Sequence, residues 1–223
     1  MKHLIPFFLF GLLASVGSSA ALDSKVVAES EKANAFFERI YNEKVDRFPE
    51  WQTYLGIKKD YGEWNNDSDE IELRELEFTK ENVEWLKSSI DYDLLDLQTK
   101  ISYRLALQNA EDAINRFKYR LYNYPVNQMF GRHTDVASFL INMHLVTEAS
   151  DAEAYVSRLN GVGPVFEQLL ENLKLREELG VVPPRFVFPM AIESCRNIIS
   201  GAPFDESGED SALWEDFRKK LQA

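Results

Sequence analysis

The sequence predicts an all-α protein, an array of amphipathic helices joined by irregular connections rich in proline and aromatic residues. Three observations predict it. Apolar residues recur every three or four positions from about residue 26 onward. No run shows sustained strand alternation. Proline, glycine and capping patterns break the chain into helix-sized pieces. No repeat of 20–50 residues and no low-complexity segment is present.

Residues Met1–Ala21 read as a leader outside the fold. Lys2 and His3 form a basic start, Leu4–Val16 an apolar run, and Ser18-Ser19-Ala20-Ala21 the small residues of a cleavage site, after Ala20 or Ala21. The run is short for a span of roughly 20 residues and holds Pro6 and Gly11, which favours a cleaved leader over a membrane anchor. No cysteine follows it for lipid attachment, and no later run is long enough to cross a bilayer. The expected location is periplasmic or secreted, with no stable membrane association after cleavage.

Val26 to Phe48 carries one helical apolar stripe. Pro49 and Glu50 suit the first turn of a short helix through Trp51, Tyr54 and Leu55, closed by Gly56. After a polar loop at 58–66, Asp67-x-x-Glu70 resembles a capping box for a helix with Leu76, Thr79, Val83, Leu86 and Ile90 inward. The next helix runs from about Leu94 to Tyr119, with Leu97, Ile101, Leu105, Ala113, Phe117 and Leu121 marking its buried side. Tyr122–Gly131 then interrupts the helices: Pro125 stops the chain and Gly131 frees it. Its Tyr122, Tyr124, Val126, Met129 and Phe130 would waste apolar surface in water, so this break is expected to dock against the body.

Thr134 caps a helix to about Val146, with Val136, Phe139, Leu140 and Met143 inward. Ser150-x-x-Glu153 is a capping box for a short helix ended by Asn160-Gly161. Pro164 starts another, with Val165, Phe166, Leu169, Leu170 and Leu173 inward and Gly180 as its stop. Pro183 and Pro184 make Val181–Phe188 extended, and Pro189 opens a helix to about Ser200. Gly201–Glu209 is a loop before a last helix marked by Leu213, Phe217 and Leu221. Trp214, Phe217 and Leu221 ask for a partner, so an exposed apolar patch is expected there.

The formal charge is −12, and loss of Lys2 with the leader makes it −13 (24 − 37). Nucleic acid and anionic membrane surfaces are therefore poor partners, since phosphate contacts need clustered cations. One cysteine, Cys195, cannot form an internal disulfide, and Ile192, Ile198 and Ile199 around it read as a helix face hiding a structural thiol. Asn66-Asp67-Ser68 satisfies the glycosylation sequon, which matters only in a eukaryotic secretory pathway.

Zinc hydrolysis needs two imidazoles on one helix face and a third ligand. After the leader only His133 and His144 remain, eleven positions apart. His144 and Glu148 have the i, i+4 spacing of a shared metal, but the helix ends there, and a solvent-facing or hydrogen-bonded pair of histidines is the better reading. There is no nucleophile elbow, phosphate-cradling glycine loop or dinucleotide fingerprint. The clusters Trp51/Tyr54/Tyr61/Trp64 and Tyr119/Tyr122/Tyr124 read first as core and helix-packing surface, second as a groove for peptide or sugar. By its residues alone the chain offers no catalytic or metal site.

Several segments together resemble the N-terminal region of the bacterial family called domain of unknown function (DUF) 885. They are Phe48-Pro-Glu-Trp-Gln-Thr-Tyr-Leu-Gly56, Asp60-Tyr-Gly62 and Tyr124-Pro-Val-Asn-Gln-Met-Phe-Gly131, then Asp151-Ala-Glu-Ala-Tyr-Val-Ser-Arg-Leu159, Gly180-Val-Val-Pro-Pro-Arg-Phe-Val-Phe-Pro189 and Ile199-Ser-Gly-Ala-Pro-Phe204. The resemblance implies an exported helical protein similar to gluzincin-type zinc peptidases, with a helical scaffold around a peptide-substrate cleft. It places the zinc motif in a C-terminal half that this sequence does not reach, so no residue here inherits a ligand or general-base role. Tyr124, Asn127, Gln128 and Met129 match a family motif and are expected either to shape the cleft or to lock the helix break. The expectation is an incomplete domain, inactive alone, with zinc belonging to the missing half. Two rivals stand beside it: a free-standing periplasmic binding module for a peptide or hydrophobic ligand, and a helical interaction or inhibitor protein.

Overall fold

The computed structural model describes the backbone of residues 11–222 and the side chains from Ala21 onward. The proposed cleavage site therefore lies, apart from Ala21, outside the described side chains. Among the described residues the architecture is all-α, as predicted: helices, two short 3-10 turns and no strand. The helices are α1 (Gly11–Arg47), α2 (Pro49–Tyr54), α3 (Asp69–Ser89), α4 (Leu97–Arg116), α5 (Arg132–Asn142), α6 (Ala149–Asn160), α7 (Val162–Glu178), α8 (Val187–Ile198) and α9 (Ala212–Gln222). No described helix is long and apolar enough to cross a membrane.

The chain divides into two units. One joins α1 up to Tyr41 with residues 76–115; the other joins residues 42–75 with 116–222. In the first unit Ala33, Phe36, Leu86, Ile90, Leu95 and Tyr103 form the core, and Phe36 stacks on Trp85 at 4.3 Å. Asp96 caps α4 by accepting from Thr99 N at 2.7 Å and from Thr99 Oγ1 at 3.0 Å. The α4 stripe expected to be buried is turned outward: Leu97, Ile101 and Leu105 are 77%, 46% and 55% exposed and Ala113 is also exposed. Thr99 and Tyr103 face the core instead, because the Tyr103 ring packs edge-on against Tyr92 and the Thr99 hydroxyl is held by Asp96. Periodicity found the helix but ranked its faces by apolarity alone.

In the second unit α5 is the hub: α7, α8 and α9 pack against it, and α6 packs on α7. Val136, Phe139, Leu140, Tyr155, Val165, Leu169 and Val187 are among its buried apolar side chains. Lys220 of α9 donates to the carbonyls of Leu140 at 2.7 Å and Ile141 at 2.9 Å, covering the C-terminal end of α5. Phe217 stacks on Tyr155 at 4.6 Å, whereas Trp214 and Leu221 stay exposed. The last helix is thus partly covered, not wholly bare.

Four start signals are displaced. The Asp67–Glu70 box does not form: the Ser68 carbonyl receives the first amides of α3, and Asp67 is drawn to Arg132 at 3.4 Å. Gly131, not Thr134, precedes α5, which ends at Asn142 and leaves His144 beyond it. Glu148 and Asp151 form the capping box of α6, and Ser150 merely donates to Glu148 Oε1. α8 begins at Val187, so Pro189 falls in its first turn, where a missing amide costs no hydrogen bond.

The Tyr122–Gly131 break is real, but it does not dock as expected. Tyr122, Met129 and Phe130 are 64%, 80% and 62% exposed, and Tyr124 is exposed too. Asn127 makes the turn self-sufficient: its Oδ1 accepts from Met129 N at 2.8 Å and Phe130 N at 3.1 Å, and its amide donates to Phe130 O. A Cβ on Gly131, at φ +142°, would lie 2.3 Å from the Pro125 carbonyl oxygen, so only glycine closes this turn.

Candidate functional site

Asp151, Tyr155 and Arg158 sit at i, i+4 and i+7 on α6 and so share one face. All three are buried. The Arg158 side chain is fully enclosed with no carboxylate bonded to it, and neutral acceptors hold it instead. Its Nε donates to the Glu63 carbonyl at 3.1 Å, its Nη2 to Thr53 Oγ1 at 2.7 Å and its Nη1 to His144 Nδ1 at 3.0 Å. The rings of Phe139, Tyr61 and Trp64 surround the guanidinium at 4.8, 5.2 and 5.5 Å. Burial lowers the Arg158 pKa to about 10.

Because arginine is always the donor, His144 must accept at Nδ1 and carry its proton on Nε2, which donates to the Asp151 carbonyl at 2.9 Å. Burial, with Arg158 and Lys220 nearby, lowers His144 to about 4. Tyr61 stacks on the imidazole at 4.2 Å, and its hydroxyl donates to the Leu145 carbonyl at 3.0 Å. The Asp151 carboxylate accepts from Lys58 Nζ at 2.7 Å, Thr147 N at 2.8 Å and Thr147 Oγ1 at 2.7 Å. Burial alone would raise its pKa; Lys58 and the Thr147 bonds outweigh that and hold it well below the usual carboxylate range.

Beside this cage Arg132 grips Glu50 with two bonds of 2.6 and 2.9 Å, and Asn65 N donates to the same Glu50 carboxylate. Burial pushes the Asp67 carboxyl up, against the pull of Arg132. Arg176 is likewise buried, bonded to Asn123 Oδ1 and to the carbonyls of Asn172 and Arg120.

The arrangement ties α2, the 58–66 loop, the α5–α6 connection and α6 together. Its imidazole has both nitrogens engaged, the bonds to the Asp151 carboxylate all fall on Oδ2, and the buried Tyr155 hydroxyl has no hydrogen-bond partner. His133 lies in the first turn of α5 and His144 beyond its other end, roughly 15 Å along the axis, so the two do not converge. His133 is buried with Nδ1 lacking a partner, and burial lowers its pKa. Glu148 has left the helical spacing that would pair it with His144. Among the described residues no group of three metal-ligating side chains is assembled.

Of the residues expected at a cleft, Asn127 pins the turn, Met129 is its most exposed side chain, and Tyr124 and Gln128 are exposed beside it. Tyr122 packs edge-on against Tyr119 at 6.3 Å, and the Trp64 indole donates to the Arg158 carbonyl at 2.8 Å. Cys195 is half-buried on α8 with Ile192 and Ile199 exposed, so its face is not the hidden one expected. Sequence reasoning missed Arg158 and Arg176. For Arg158 a signal existed: three polar or half-polar residues stepping by four and three along one face of a helix.

No match was found among curated proteins or among solved structures. Residues 49–223 match the family described as "Bacterial protein of unknown function (DUF885)". That stretch takes in every element of the Arg158 cage, and on it the chain belongs to the DUF885 family.

Proposed function

We propose that this protein is exported and serves as the helical supporting portion of a peptidase-like hydrolase of the DUF885 family, helping to shape a peptide cleft. In this reading the zinc and its ligands lie outside the present sequence. One observation carries it. His144, the histidine that sequence reading pairs with Glu148 for a metal, is spent in internal bonds, while apolar side chains of α8, its C-cap and α9 (Ile192, Ile199, Trp214 and Leu221) face outward. The leader-like start of the chain supports export.

The test is zinc content and peptide hydrolysis by the purified 223-residue chain. The expected result is no stoichiometric zinc and no turnover sensitive to a chelator. Stoichiometric zinc together with chelator-sensitive cleavage of a quenched peptide library overturns the reading. Export is checked separately, by fusing residues 1–30 to a reporter active only outside the cytoplasm.

A further inference from the structure

We propose that the open cleft at the start of α8 binds an apolar carboxylate, with Arg185 taking the carboxylate and Phe186, Phe188 and Pro189 taking the apolar group next to it. These four residues line a shallow, open depression on the surface. Its chemistry is two-sided: one guanidinium and otherwise apolar side chains. Phe186 and Phe188 are 59% and 47% exposed, a cost in water that a ligand would remove.

Arg185 is available. Arg47, Arg120 and Arg132 are committed to carboxylates within this acidic chain, but Arg185 has no hydrogen bond or ion pair among the described residues. A guanidinium presents a planar fork that matches a carboxylate with two parallel bonds. The backbone under it is fixed in advance. Pro183 and Pro184 restrict the approach, and Val187 N donates to the Pro184 carbonyl at 2.9 Å as α8 begins. Little ordering is needed when a ligand arrives.

Two sources supply this chemistry: the C-terminus of a peptide ending in an apolar residue, or a small aryl or alkyl acid. The inference does not rest on the hydrolase-support reading, and absence of zinc leaves it untouched. Calorimetric titration of the full chain with N-acetyl-Ala-Ala-Phe, its C-terminal amide and 3-phenylpropionate tests it. The acid is expected to bind at least about tenfold more tightly than the amide. Arg185→Gln removes that preference and Phe188→Ala weakens both, while the far-ultraviolet spectrum stays helical, since both side chains are exposed. A tripeptide tenfold tighter than phenylpropionate assigns the site to peptide termini, and equal binding assigns it to small acids. Equal binding of acid and amide, unchanged acid binding by Arg185→Gln, or no binding of either acid at about 5 mM overturns the proposal.

Discussion

Replacing Arg158 with methionine removes the centre of the α6 cage while nearly keeping its volume. Three acceptors lose their donor: the Glu63 carbonyl, Thr53 Oγ1 and His144 Nδ1. Each orphaned buried group costs about 1–3 kcal/mol, so the gross loss is roughly 3–9 kcal/mol with a further ~1 kcal/mol for the ring contacts. Relief opposes this. Burial lowers the Arg158 pKa from 12.5 to about 10, which corresponds to about 3 kcal/mol of charge desolvation that methionine no longer suffers. The net expectation is a loss of about 1–7 kcal/mol, or roughly 2–28 °C in melting temperature for a chain of this size. Urea unfolding at neutral pH, followed by tryptophan emission because Trp64 lies on the guanidinium, measures it. A change below about 0.5 kcal/mol would mean that the cage is solvated and the bonds idle. Arg158→Lys, which keeps the charge but loses the fork, should fare no better than methionine.

Three more expectations concern His144, the Gly131 turn and the core of the other unit. His144, with a folded pKa of about 4 against an ordinary 6.5, contributes stability that is fully present above pH 6.5 and is lost as pH falls toward 4, by up to about 3 kcal/mol; an NMR titration placing its midpoint above 6 would refute the buried neutral tautomer. Gly131→Ala forces a Cβ against the Pro125 carbonyl and should lower stability by about 1–3 kcal/mol and open the Met129–Phe130 turn to proteolysis, so an unchanged melt and digest would count against the strained turn. In the other unit Phe36→Ala should cost about 3–5 kcal/mol and shift Trp85 emission, whereas Leu105→Ser should stay within about 0.5 kcal/mol; the reverse ranking would restore the buried stripe that periodicity suggested for α4.

The sequence by itself determined the helical class, most helix spans and the break at Pro125–Gly131, because apolar periodicity, proline and glycine act over a few residues. It also carried the family resemblance. Tertiary structure alone decided which face of α4 is buried, since Tyr103 and Thr99 win through partners, Tyr92 and Asp96, that no apolarity count weighs. Tertiary structure also decided the fate of Arg158. Its acceptors Thr53, Glu63 and His144 are separated from it by 105, 95 and 14 residues, and only their convergence makes a buried cation tolerable. The capping signals lie near the right places yet on the wrong residues, because Arg132 claims Asp67 and Lys58 stabilises Asp151 from across the fold. Local patterns fix where helices can form; long-range pairing fixes which polar groups are consumed and which, like Arg185, are left facing out.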